Sequence, residues 1–87
     1  MKEIMIVDDH EGMRVLYKTV FGRMRDMRIM HLSESAENAV AFLKGKRPDL
    51  IIVDHSLPGM DGIEFTKRVR GGLPETKILI VSGYEPE

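Results

Sequence analysis

Four short apolar runs punctuate the chain: Ile4-Met5-Ile6-Val7, Ile29-Met30-His31-Leu32, Leu50-Ile51-Ile52-Val53 and Ile78-Leu79-Ile80-Val81. Three of them are continuous rather than alternating, which is how strands read when both faces of a parallel sheet are covered. The second run is more broken and suits an edge strand. Between the runs the apolar spacing lengthens to that of a helix. Met13, Leu16, Tyr17, Val20, Phe21 and Met24 fall on one stripe, which predicts a first helix with that stripe turned inward. Ser35 is placed to cap a second helix that turns Ala36, Ala39, Val40 and Leu43 inward, with Gly45 and Pro48 as stop signals. A third helix is predicted over 62–70, with Phe65 and Val69 one turn apart and Gly71, Gly72 and Pro74 ending it. Its periodicity is the weakest of the three.

Strands that alternate with helices through short connections form a parallel sheet with right-handed crossovers and helices on both faces. The predicted class is therefore α/β, doubly wound. With 87 residues the chain holds one small domain, and no repeat, linker or low-complexity segment divides it.

Composition narrows the chemistry more than the fold. Thirteen basic and 14 acidic side chains nearly cancel, which gives no electrostatic ground for binding nucleic acid or an anionic membrane surface. Cysteine is absent, so disulfides and thiolate metal sites are excluded. No segment approaches the ~20 apolar residues of a membrane span, and the amino-terminal apolar run is too short for a secretory signal. The expected location is the cytoplasm.

In an open parallel sheet, ligands bind beyond the carboxyl ends of the strands. The first run ends in Asp8-Asp9, the third in Asp54 and the fourth in Ser82-Gly83, so three carboxylates and a hydroxyl are expected at one edge. Two unit charges ~4 Å apart repel by ~4 kcal/mol at an effective dielectric of 20. Carboxylates held that close call for a cation or a raised pKa, and hard oxygen donors point to Mg²⁺, with Mn²⁺ as an alternative. A plainer reading also stands: Asp8 or Asp9 could cap the first helix, and an aspartate after a strand is an ordinary turn residue. His10 and His55 follow the aspartates but lack metal-ligand spacing, and exposed or loop-packing roles are expected for both. The seven methionines read as core filler, and Arg23, Arg25 and Arg28 as charges near the end of the first helix.

The segment from Pro48 through Leu50-Ile51-Ile52-Val53-Asp54-His55-Ser56-Leu57-Pro58-Gly59-Met60-Asp61-Gly62 resembles the phosphorylation segment of the receiver domains of two-component response regulators. Ile6-Val7-Asp8-Asp9 is similar to the acidic pair of that family, and Ile80-Val81-Ser82-Gly83 to its fourth strand with the hydroxyl that senses phosphate. The resemblance implies a flavodoxin-like (CheY-like) sheet in the order 2-1-3-4, with the first helix on one face and the other two on the opposite face. It implies Asp54 as the phosphoacceptor. Asp8, Asp9, Asp54 and the backbone carbonyl of Ser56 become the Mg²⁺ ligands, with Asp9 direct and Asp8 acting through water. Ser82 would bond a phosphate oxygen, and Pro58, Gly59 and Gly62 would shape the loop.

The implied phosphodonor is a sensor histidine kinase or a phosphotransfer protein, and the module is not an enzyme in its own right. A full receiver continues with a helix, a fifth strand ending in a lysine, and a last helix. Residues 1–87 are therefore expected to form a carboxyl-terminally incomplete receiver, impaired in switching. Lys2 and Lys77 begin their strands and stand at the wrong end of the sheet to replace that lysine. A homo-oligomer is expected, through the bare fourth strand or the uncovered sheet face. The competing expectation is an interaction or dimerisation module that keeps the fold without using phosphorylation. A metal-dependent phosphoesterase, suggested by Asp8-Asp9-His10 and Asp54-His55, lacks the further histidines such sites use.

Overall fold

The computed structural model describes residues 1–82. Elements run β1 (Lys2–Val7), α1 (Glu11–Phe21), β2 (Met27–Ser33), α2 (Ala36–Phe42), β3 (Leu50–Asp54), α3 (Gly62–Arg70) and β4 (Lys77–Val81). All neighbouring strands pair in parallel, in the order β2-β1-β3-β4. Register aligns the strand ends that matter: Val7 lies opposite Ser33 on one side and Val53 on the other, and Asp54 lies opposite Val81. Glu85, Pro86 and Glu87, at which the incomplete-receiver expectation places the chain end, lie outside the described residues, as does Gly83.

The continuous runs are explained by the two layers they separate. Met5 and Val7 of β1, with Ile51 and Val53 of β3, pack against Ala36, Ala39 and Leu43 of α2 and Phe65 of α3. Ile4, Ile6 and Ile52 face the other way, against Tyr17 and Phe21 of α1. Each central strand therefore needs an apolar residue at every position. The Ser35 cap forms as expected, its hydroxyl accepting from the backbone N–H of Asn38 at 3.0 Å. The third helix starts and stops where the residue pattern places it. It carries a further cap from Asp61, whose carboxylate accepts from Glu64 N–H at 2.8 Å.

The first helix departs from expectation. Tyr17 and Phe21 pack on the sheet, but Met13, Leu16, Val20 and Met24 of the same stripe are exposed, and α1 contains no fully buried residue. Periodicity identifies which side of a helix is apolar, whereas burial requires a neighbour to cover it. Tyr17 and Phe21 share their cluster with residues of all four strands, but no described element covers the rest of the stripe, and Leu79 on β4 is likewise half-exposed. The helix is capped by neither Asp8 nor Asp9: its amino-terminal flanking residue is His10, which makes no side-chain capping bond. Of the arginines read as flanking α1, Arg28 belongs to β2 and is ion-paired with Glu3. The methionines divide, with Met5 and Met60 buried and Met1, Met13 and Met24 exposed.

Gly62 shows how tightly the third helix approaches the sheet. A Cβ at this position would lie 2.6 Å from the carbonyl oxygen of Asp54 and 3.0 Å from the Cα of His55. Both obstacles are backbone, so no side chain can swing aside. Gly62→Ala is expected to lower stability by about 1–3 kcal/mol, as overpacking does. It should also shift the amide resonances of residues 54–56. A urea midpoint and amide spectrum like those of the parent protein would show that the contact relaxes freely.

Candidate functional site

The carboxyl edge of the sheet gathers its polar residues from strand ends. Asp8 follows β1 and is buried, and its N–H donates to Ser33 O at 2.9 Å, which continues the ladder one residue past the strand. Asp9 is exposed. Asp54 is the last residue of β3 and is only 6% exposed. Its Oδ1 accepts from the backbone N–H of Ser56 at 3.1 Å, which fixes the carboxylate against the start of the following loop. One oxygen from each of Asp8, Asp9 and Asp54, together with a ring nitrogen of His10, lie within 4.8 Å of one another. Ser82 follows β4 and lines the same cleft of ≈ 370 Å³, along with Asp8, His10, Met13, Tyr17 and Asp54.

The loop after Asp54 is anchored at several points. Leu57 and Met60 are buried in the core beneath α2 and α3. Gly59 has φ +75°, the left-handed region that favours glycine. The Glu37 carboxylate accepts from Met60 N–H at 3.1 Å, and its own and the Met60 backbone N–H hold Glu37 below the usual carboxylate range. The His55 N–H donates to Val81 O at 2.8 Å, joining the loop to β4. Ser56, expected to offer its carbonyl, is exposed at the start of this loop.

Two residues make contacts at the site that were not expected of them. The His10 ring is exposed, yet its Nδ1 lies 3.1 Å from Asp8 Oδ1, 3.2 Å from Asp9 Oδ1 and 3.7 Å from Asp54 Oδ2. Bonding to Asp8, followed by the charge of Asp9, raises its pKa above the ordinary histidine value. Its position directly after the acidic pair was the available signal, but the consecutive spacing hid it. The second is Arg14, one turn into α1, whose guanidinium donates to the carbonyl of Asp8 at 2.9 Å. Nothing in the sequence distinguishes Arg14 from a solvated helix charge. Tyr17 borders the cleft, and burial, then the charges of Asp8 and Asp54, raise its phenol pKa. Lys2 and Lys77 stand at the opposite, amino edge of the sheet, as expected.

The donor set fits a hard divalent cation. Three carboxylates with oxygens this close satisfy its charge and its preference for oxygen, and an exposed face leaves room for water and a phosphate oxygen. Among the described residues no helix is long and apolar enough to cross a membrane.

Comparison with known proteins agrees with this geometry. The family model described as "Response regulator receiver domain" matches residues 4–87. The response regulator VraR of Staphylococcus aureus is 29% identical over 82 residues, which cover 94% of this chain and 39% of that protein. The chain thus spans about two fifths of the length of the curated relatives it matches. The response regulator domain of Thermotoga maritima CheB superposes with a TM-score of 0.87 at 28% identity, covering 100% of this chain and 64% of that one. T. maritima TrrA, solved in complex with Mg²⁺-BeF, gives 0.85 at 29% identity, covering 98% and 72%. By family match, sheet order and the placement of its aspartates, the chain belongs to the response regulator receiver domains of two-component signalling.

Proposed function

We propose that the chain is a signalling module that accepts a phosphoryl group on Asp54. The donor is a phosphohistidine of a sensor histidine kinase or a phosphotransfer protein, met in the cytoplasm. The observation that carries this reading is the buried Asp54 carboxylate, pinned by Ser56 N–H in a cleft that Asp8 and Ser82 also line, with a carboxylate oxygen of Asp9 close by. A carboxylate oxygen attacks phosphorus, the bond to the leaving group breaks, and an acyl phosphate forms on Asp54. Phosphoryl transfer needs positioning and charge neutralisation more than covalent help.

Asp8, Asp9, Asp54 and the Ser56 carbonyl would hold Mg²⁺, or Mn²⁺ in its place. When bound, the cation supplies positive charge that offsets repulsion between the carboxylates and the incoming phosphate. TrrA, solved with Mg²⁺-BeF, supports this assignment. The Ser56 N–H holds the Asp54 carboxylate and Arg14 donates to the backbone that carries Asp8; Ser82 lines the same cleft, which supports its hydroxyl as a donor to a phosphate oxygen. Intact-mass measurement after acetyl phosphate and Mg²⁺ tests the reading: one phosphoryl adduct that requires the cation is expected. No adduct at any Mg²⁺ concentration would count against it.

Asp9→Asn removes one of the charges without touching the core, since Asp9 is exposed. Mg²⁺ affinity should fall on the order of tenfold or more, because Mg²⁺ sites depend on one or two carboxylates. Amide titration is the check, with shifts expected around Asp8, Asp9 and Asp54. Cation-induced shifts confined to other parts of the chain would refute the site.

A second reading concerns assembly. The outer edge of β4 is unpaired among the described residues, and Leu79 and Ile80 are 51% and 38% exposed. Such an edge is a template for another strand. Met13, Leu16 and Val20 add exposed apolar surface on α1. We therefore propose that this 87-residue polypeptide self-associates, most simply as a two-fold dimer, with or without phosphate on Asp54. Light scattering across a dilution series should show mass rising with concentration, and a monomer persisting throughout would end this reading.

A further inference from the structure

We propose that His10 is a direct ligand of the divalent-cation site, supplying its Nδ1, so that the site has a mixed nitrogen and oxygen donor set. This inference rests on the reading of Asp8, Asp9 and Asp54 as a cation site and adds a residue to it.

The geometry is specific to this ring. Ligands on neighbouring positions of a six-coordinate ion with bonds of about 2.1 Å lie about 3.0 Å apart. His10 Nδ1 stands 3.1 Å from an oxygen of Asp8 and 3.2 Å from an oxygen of Asp9. It is 3.7 Å from an oxygen of Asp54, which lies on a different strand. The nitrogen thus keeps ligand-like distances to carboxylates from both central strands. The side chain is 65% exposed and could turn into water. Instead it faces the acidic cluster. The side chain makes no helix-capping bond; its Nδ1 bonds the Asp8 carboxylate at 3.1 Å, and a bound cation would take the place of the proton between them.

The chemical consequence is a change in metal preference. Imidazole contributes little to Mg²⁺, which favours oxygen donors and retains water, whereas first-row transition ions accept it readily. The site should therefore favour Mn²⁺ over Mg²⁺ by more than its carboxylates alone provide.

The test uses the full 87-residue chain with Mn²⁺ as the probe at one fixed pH. Pulsed electron paramagnetic resonance on the bound ion should detect ¹⁴N coupling from a directly ligated imidazole, and His10→Ala should abolish it. Competition with Mg²⁺ should show the Mn²⁺ preference falling about tenfold in His10→Ala, with Mg²⁺ affinity changed less than about twofold. His10 is exposed and makes no side-chain cap, so the variant should fold as the parent does, which circular dichroism verifies. Mn²⁺ bound in an Asp9-dependent manner but without ¹⁴N coupling would overturn the role of His10 and leave the carboxylate site intact. Coupling that persists in His10→Ala would also overturn it. Failure of Mn²⁺ to bind, or binding indifferent to Asp9→Asn, would remove both the inference and the site beneath it.

Discussion

Asp54→Asn should reduce phosphoryl uptake from acetyl phosphate to background, a loss on the order of 100-fold or more, because the amide oxygen is too weak a nucleophile to replace the carboxylate. The substitution keeps the size of the side chain and its ability to accept from Ser56 N–H, so the fold and the loop should persist. Other aspartates are poor substitutes. Asp61 lies in the same loop region, but its Oδ1 is engaged in capping α3. Asp26 and Asp49 lie at the opposite end of the sheet, where Asp49 bonds the backbone of Glu3. Asp8 and Asp9 share the acidic cluster with Asp54, yet they lie on its cation side in the proposed arrangement. Peptide mapping after reductive trapping of the acyl phosphate checks the assignment. Label at the parent rate in Asp54→Asn, or label mapped to Asp8 or Asp9 in the parent protein, would overturn it.

The readable and unreadable parts of this molecule divide along a physical line. β1 and β3 are legible because a strand covered on both faces cannot alternate, and Ile4-Met5-Ile6-Val7 and Leu50-Ile51-Ile52-Val53 show that constraint directly. Asp8, Asp9 and Asp54 are legible because each ends such a run, and strand ends in a parallel sheet share an edge. What residue order does not carry is contact between elements. The Glu37 carboxylate reaches Met60 across 23 positions of sequence, and neither residue announces the other. His10 enters the acidic cluster through the turn between β1 and α1, whose shape no residue type specifies. The exposure of Met13, Leu16 and Val20 is hidden for a related reason, since an apolar stripe looks the same whether or not another element covers it.

Phe65→Ala tests whether core and site stand or fall together. Phe65 is fully buried, the largest such side chain among the described residues, and sits in the cluster that also contains Val53, Leu57 and Met60. Val53 directly precedes Asp54, while Leu57 and Met60 anchor the loop that begins with Ser56. Truncating a buried phenylalanine costs about 3–5 kcal/mol, part from lost transfer energy and part from the cavity left behind. At about 0.05–0.15 kcal/mol per residue, a chain of 87 residues has roughly 4–13 kcal/mol to lose. The loss is a large fraction of the total, and at the lower end of that range it takes the variant to its unfolding midpoint in water. Urea denaturation followed by circular dichroism should show a midpoint shifted far below that of the parent protein, or no folded baseline. Phe65→Leu fills most of the same space and should lose much less, on the order of 1 kcal/mol. It should retain both the Mg²⁺-induced shifts and phosphoryl uptake. Gly62→Ala provides the contrast, because it strains the backbone of Asp54 and His55 directly while leaving this cluster intact. If Phe65→Ala unfolds at the parent midpoint, the cavity has collapsed without cost, and the aromatic ring is not what joins α3 to the sheet beneath the site.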